Sequence, residues 1–187
     1  MTIAETIKQN NIVEYILFIW QAEDMVRAFH LDTEKINSNI IKDFNGEKAD
    51  LLSLQTWYQN LIKKLKLQGK KEKGHLNEIN EVINELNYLH ATLINLMQDP
   101  IYTDLYKEAL PYINDFRGKS DSPNESDIHL CLNALYGKLI LKLKGADISE
   151  ETEKAFKHFR NVLAHLSVKY KDMKAGTLTI KNGNSQT

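Results

Sequence analysis

Apolar residues recur along most of this chain at the three- and four-residue spacing of amphipathic helices. The pattern predicts helices over about residues 2–9, 11–29, 33–44, 47–67, 75–98, 100–117, 123–145 and 149–173. Asn45-Gly46 should end the third of them. Short connections favour antiparallel neighbours. We therefore expect an all-α fold, a single-domain antiparallel bundle of six to eight helices over residues 1–173, with a disordered tail at 174–187.

Capping residues sharpen two of the later boundaries. Asp99-Pro100 combines a helix cap with a proline in the first turn and predicts a helix start. That helix should kink at Pro111, which has no amide proton to donate. The stretch Ser122-Pro123-Asn124-Glu125 is typical of a capping box, so the next helix should begin at Pro123.

Composition and charge narrow the class of protein. The chain has 187 residues, 42% apolar and 26% charged, with a formal net charge of −1. A protein that binds nucleic acid through its overall charge usually has a strong positive excess, which this chain lacks. Any contact with nucleic acid would therefore need a local basic patch. Cys131 is the only cysteine, which excludes an intrachain disulfide and favours a reducing compartment. We find no export signal, and the longest apolar run, 15–20, is too short to span a membrane. These features predict a cytoplasmic protein.

The first candidate site lies in the helix predicted at 11–29. Its first half is apolar on nearly all sides, and then Glu23, Asp24 and Arg27 appear. At about 100° per residue, Glu23 and Arg27 fall on the side of Trp20 and can form an i, i+4 pair. The pattern fits a polar pocket at one end of the bundle. It also fits a helix that leaves the core and has solvated last turns.

The second candidate is the stretch KLKLQGKKEKGHL before the helix predicted at 75–98. Five lysines crowd this stretch and a sixth directly precedes it: Lys63, Lys64, Lys66, Lys70, Lys71 and Lys73. A helix start beside lysines can bind a phosphate or carboxylate, although a solvated turn explains the lysines too. Glu72 and His75 have the E-x-x-H spacing of di-iron bundles, but one such motif is not enough, so we expect no metal. His75 also fits a structural, hydrogen-bonded histidine.

Together the two stretches define one binding candidate if they meet in space. Its members are Trp20, Glu23, Asp24, Arg27, Glu72, Lys73 and His75. A separation of more than about 8 Å between the Glu23 carboxylate and the His75 imidazole would remove it, because hydrogen bonds are far shorter.

The third candidate is FRNVLAHLSVKY at 159–170. Apolar residues form a stripe along it, and Asn161 and His165 share one shoulder of that stripe. Arg160 lies about 140° from His165, so one straight helix cannot aim both at a single phosphate. An ordinary amphipathic packing helix has the same pattern.

The spelling R-N-x-x-x-H on a late helix resembles the higher eukaryotes and prokaryotes nucleotide-binding (HEPN) domain. Members are helical bundles that often dimerise, and many are metal-independent endoribonucleases. The resemblance implies that His165 acts as general acid or base, Arg160 stabilises phosphoryl charge and Asn161 orients the site. A homodimer could then bring together groups that one helix separates.

A second resemblance extends along nearly the whole chain. NIVEYILFIWQAEDMVRA, EKGHL, YKEALPYI, CLNALYGKLILKL and ISEETEKA resemble, in order, an uncharacterised all-helical family of Bacteroidetes bacteria, a domain of unknown function. It implies a bacterial intracellular protein without an assigned activity. It also directs attention to Gly74 and to residues of the binding candidate.

These observations favour a cytoplasmic, non-catalytic binding module for a protein partner or a small anionic ligand. We expect no cofactor, because the chain has no Gly-rich nucleotide loop, no serine-nucleophile motif and no zinc signature. The alternative is a HEPN-like RNA-binding protein or endoribonuclease that uses Arg160 and His165. A homo-oligomeric scaffold is a third class and would expose a large apolar patch.

Overall fold

The computed structural model describes residues 2–41 and 48–179. In those ranges the chain forms eight α-helices and no strand, which confirms the all-α prediction. The helices are α1 (Ile3–Asn10), α2 (Ile12–Ala28), α3 (Thr33–Ile36), α4 (Lys48–Leu67), α5 (Asn77–Ala91), α6 (Pro100–Lys119), α7 (Asp127–Leu143) and α8 (Glu150–Lys174). Two π-helical segments, Asn37–Ile41 and Thr92–Leu96, extend α3 and α5.

The chain divides into two compact units, residues 1–81 and 82–187, and the boundary falls within α5. The single domain expected over 1–173 and the tail expected at 174–187 stay predictions.

In unit 1, α2 is the central helix and packs against both α1 and α4. Asn11 caps α2 by accepting the N–H groups of Val13 and Glu14. Seven apolar residues of α2 are buried: Ile12, Val13, Ile16, Ile19, Trp20, Ala22 and Val26. Burial on several sides agrees with the nearly all-round apolar pattern of its first half.

In unit 2, α8 packs against both α6 and α7, which also contact each other. The apolar stripe of α8 supplies the buried residues Phe156, Phe159, Val162, Leu163, Leu166 and Tyr170. Cys131 on α7 is 1% exposed, so it is a core residue, and burial raises the pKa of its thiol. A buried thiol that stays protonated is a poor nucleophile.

The predicted start of α7 at Pro123 is wrong. The helix begins at Asp127, and Ser126 caps it by accepting the N–H of His129. The reason lies in Arg117, whose guanidinium binds the carbonyls of Pro123 at 2.5 Å and Glu125 at 2.7 Å. Those carbonyls are therefore held in a turn.

Three further boundaries differ from the pattern. The helix predicted at 33–44 is α-helical only to Ile36. Its predicted end at Asn45-Gly46 lies outside the described residues. The helix at 75–98 begins two residues after His75 and is π-helical from Thr92. The helix from Pro100 continues through Pro111 to Lys119.

Candidate functional site

The two halves of the binding candidate meet in unit 1. His75 Nδ1 lies 2.6 Å from Glu23 Oε2, far inside the limit of about 8 Å set by hydrogen-bond reach. The Leu76 N–H donates to Glu23 Oε1 at 2.9 Å, and the Glu23 side chain is 0% exposed. Trp20 stacks on the His75 ring with centroids 4.4 Å apart. One buried carboxylate thus binds both the ring and the backbone at the entrance to α5.

Arg27 holds the other end of the same loop. Its Nε and Nη2 donate to the Lys70 carbonyl at 3.3 and 3.2 Å, and Nη2 also donates to the Gly74 carbonyl. Its Nη1 pairs with Asp24 Oδ1 at 2.9 Å. The predicted pair with Glu23 is only marginal, at 4.0 Å. Arg27 therefore acts chiefly on the backbone of residues 70–74, where Gly74 takes a left-handed φ of +80°.

Two members of the sequence candidate stand apart from this cluster. Glu72 and Lys73 are exposed on the loop, and among the described residues neither hydrogen-bonds to Glu23, Arg27 or His75. The E-x-x-H spacing of Glu72 and His75 does not form a ligand pair, because the His75 ring lies against Glu23. Within the described ranges, no group of three or more histidine, cysteine or acidic residues is arranged to hold a metal.

A pocket of about 570 Å³ adjoins the end of this loop, where Leu76 lines it. Its apolar lining comes from α1, α2, α4 and the entrance to α5: Ala4, Ile19, Trp57, Leu61, Leu67, Leu76 and Ile79. A neighbouring pocket of about 410 Å³ shares Thr2 and Trp57 with it. The sequence reasoning missed this site, although Leu54, Trp57 and Leu61 on α4 follow a helical spacing. That signal is shared by every packed helix.

The charged groups at the pocket are unevenly engaged. Burial alone would raise the pKa of Glu78, but hydrogen bonds from Lys64 at 2.7 Å and Gln68 at 2.9 Å outweigh it and lower that pKa. The Glu5 carboxylate accepts the Thr2 N–H at 2.7 Å, which lowers the pKa of Glu5. Both carboxylates at the pocket therefore stay ionised and already have donors.

The lysines Lys63 and Lys8 make fewer polar contacts than these carboxylates. Lys63 lines the pocket and forms no salt bridge with any residue that the structure describes. Lys8 lies with its Nζ 5.3 Å from the centre of the Tyr15 ring. Burial, followed by the charges of Glu78 and Glu23, raises the pKa of Tyr15, which keeps its hydroxyl protonated.

The third candidate lies in unit 2 and takes a different form from the sequence hypothesis. His165 Nε2 is 3.8 Å from Asp99 Oδ1, and Lys169 Nζ is 2.6 Å from Asp99 Oδ2. Tyr102 stacks on the His165 ring at 5.8 Å. Burial lowers the pKa of His165, and its Nε2 has no hydrogen-bond partner among the described residues. Arg160 lies on the exposed side of α8.

Unit 2 also contains a polar chain that the sequence reasoning missed. The Tyr102 hydroxyl lies 2.8 Å from His90 Nδ1, and the His90 ring packs edge-on against Tyr106 at 4.7 Å. Tyr106 donates to Asp127 Oδ2 at 2.5 Å. Burial raises the pKa of both tyrosines and lowers that of His90. These groups come from three separate helices, so no local spacing could reveal them.

Comparison with known proteins identifies the family of this chain. A family model described as a domain of unknown function (DUF4924) matches residues 1–177. No curated protein and no solved structure matches the chain. The predicted resemblance to an uncharacterised domain is confirmed, while the Bacteroidetes origin and the HEPN resemblance stay predictions. Among the described helices, none is long and apolar enough to cross a membrane.

Proposed function

The chain belongs to the DUF4924 family, and from that premise we propose that unit 1 is a non-catalytic binding module for a small anionic ligand. The ligand site is the pocket of about 570 Å³ beside the loop at 70–76. Pockets of about 300–1,000 Å³ are typical of small-molecule sites in proteins. A cytoplasmic location and a bacterial source accompany this proposal as predictions of the sequence.

One observation carries the proposal: a fully buried carboxylate fixes the backbone of the pocket wall. Glu23 accepts the N–H of Leu76, and Leu76 lines the pocket. Burying a carboxylate is unfavourable unless it is paired and hydrogen-bonded. Here that arrangement holds the wall in place before any ligand arrives. A preformed site binds more tightly because less conformational entropy is lost on binding.

The sequence candidates then have distinct roles. Glu23 is closed to solvent, so it acts as a positioning residue, together with Trp20 and His75. Arg27 holds the loop carbonyls, and the exposed Asp24 carboxylate pairs with it at the surface. Direct contact with the ligand falls to the pocket lining.

The test is a fluorescence titration with 8-anilinonaphthalene-1-sulfonate, a small amphipathic anion. Asn60 lines the pocket, and its replacement Asn60→Trp should fill the pocket and abolish saturable binding. Gln59→Trp is the matched control, because Gln59 is an exposed neighbour outside the lining. Wild type and Gln59→Trp should bind alike. Binding by Asn60→Trp with unchanged affinity would overturn the proposal, as would absence of binding to the wild type.

A second candidate function is HEPN-like RNA binding or cleavage through Arg160, Asn161 and His165. It is favoured by the His165 ring, which is 21% exposed and whose Nε2 has no hydrogen-bond partner among the described residues, as a proton acceptor requires. Varied RNAs should be incubated with excess chelator and either wild type or His165→Ala. Cleavage that is lost in the variant would support this function. No cleavage by the wild type would leave α8 as a packing helix.

A further inference from the structure

We propose that the pocket of unit 1 selects an amphipathic monoanion, with Lys63 as the head-group residue and the face of Trp57 as the platform for the apolar body. This inference rests on the proposed function and specifies its ligand class. The expected ligand is a compact aromatic or alkyl body that carries one carboxylate or sulfonate.

The apolar half of the site is preformed. Trp57 packs against Phe18 with ring centroids 5.4 Å apart and edge-on against Tyr58 at 4.9 Å, which fixes its ring. Leu67 is 75% exposed at the same pocket, an unfavourable placement for a large apolar side chain in water. A bound apolar body would remove this surface from water, at about 25 cal/mol for each Å² buried.

The charged side chains of the pocket determine which sign of charge the ligand should carry. Five lysine and glutamate side chains line the pocket: Glu5, Lys8, Lys63, Lys64 and Glu78. Both carboxylates and Lys64 are engaged with one another or with the neighbouring polar groups. The three lysines and two glutamates give the pocket a net positive charge. Lys63 forms no salt bridge with any residue that the structure describes. A ligand cation would meet two ammonium groups of the lining, those of Lys63 and Lys8, and only one lining carboxylate outside an ion pair, that of Glu5.

Tyr15 adds a neutral donor on the same wall. It lines the pocket, and its raised pKa keeps the hydroxyl protonated at physiological pH. A protonated phenol can donate a hydrogen bond to an anion, whereas a phenolate would repel it. Lys8 over the Tyr15 ring keeps a second ammonium group at this end of the pocket.

The test compares two dyes that differ by one charged group. N-Phenyl-1-naphthylamine is the neutral counterpart of 8-anilinonaphthalene-1-sulfonate, so their affinities isolate the contribution of the anion. For the wild type we expect the sulfonate to bind about 10-fold more tightly, the size of effect usual for a hydrogen bond to a charged group. Lys63→Met should remove this preference.

Lys66→Met is the matched control. Lys66 is an exposed lysine on the same helix and is not part of the pocket lining. This variant should keep the wild-type preference, and added salt should weaken sulfonate binding to the wild type more than to Lys63→Met.

The outcomes separate this inference from the function on which it rests. Equal affinities for the two dyes in wild type, or an unchanged preference in Lys63→Met, would overturn the monoanion inference while the pocket remains a binding site. If neither dye binds, or if Asn60→Trp binds both as wild type does, the proposed function fails and takes this inference with it.

Discussion

His75 Nδ1 and Glu23 Oε2 lie 2.6 Å apart although the two residues are 52 positions apart along the chain. The same carboxylate accepts the N–H of Leu76, so it ties the entrance of α5 to α2 through two contacts. The Glu23 side chain is closed to solvent, and a charge in that position needs partners to be tolerated. This relationship turns two separate sequence motifs into one structural element.

Removing the Glu23 carboxylate should destabilise the protein. Glu23→Ala leaves the Leu76 N–H without its acceptor, and we expect a loss of about 3 kcal/mol in the free energy of unfolding. Glu23→Gln keeps an acceptor at that place and should lose about half as much. Urea unfolding measures both. Glu81→Ala, at an exposed position of α5, should cost under about 1 kcal/mol, and an equal loss in both alanine variants would contradict the role of Glu23.

Arg27 should control the mobility of the loop at 70–74. Arg27→Met removes its donors to the carbonyls of Lys70 and Gly74, with an expected loss of about 2 kcal/mol. Amide hydrogen exchange should become faster in this loop before it does so in the core of α2. Asp24→Asn is the control, because the Asp24 side chain is 51% exposed and its pair with Arg27 is worth about 0–1 kcal/mol. Unchanged loop exchange in Arg27→Met would show that other contacts hold it.

The pair between Asp99 and Lys169 should matter more than an ordinary surface salt bridge. Their side chains are 3% and 9% exposed, and the distance between Nζ and Oδ2 is 2.6 Å. Lys169→Met leaves a buried carboxylate unpaired, so we expect a loss of about 3 kcal/mol at pH 7. Lys171→Met, an exposed change on the same helix, should have little effect.

Acid should release part of this stability. Burial would raise the pKa of Asp99, but the bonds from Lys169 and the Tyr102 N–H lower it. A carboxyl with a depressed folded pKa stabilises above its unfolded value of 3.8, and the contribution disappears as pH falls through the folded pKa. The wild type should therefore lose more stability than Lys169→Met as pH falls from 5 towards the folded pKa. Parallel losses in the two proteins would contradict this.

His90 should make unit 2 sensitive to mild acid. Burial lowers its pKa below the ordinary 6.5, so the unfolded chain binds more protons than the folded one in that range. Its contribution is complete above pH 6.5 and is lost as pH falls from there towards the folded pKa. Chemical denaturation at several pH values should show a shallower dependence in His90→Asn. His30→Asn, at an exposed left-handed position, is the control and should follow the wild type.

The sequence by itself determined the helices and most of the core. Period-3.6 patterning is a local property, so it predicted the eight helical stretches and the apolar stripe of α8, which is buried. Local capping chemistry correctly predicted that Asp99 caps α6, since its carboxylate accepts the Tyr102 N–H. The pattern also singled out Glu23, Arg27 and His75 as polar residues at the edge of an apolar helix.

Only the tertiary structure decided what these residues do. The start of α7 moved because Arg117 reaches the carbonyls of Pro123 and Glu125, contacts that no propensity contains. The pocket likewise depends on α1, α2, α4 and the entrance to α5 together. Periodicity reports which face of a helix is apolar. It carries no information about which distant face covers it, because that choice is made by packing among segments far apart in the chain.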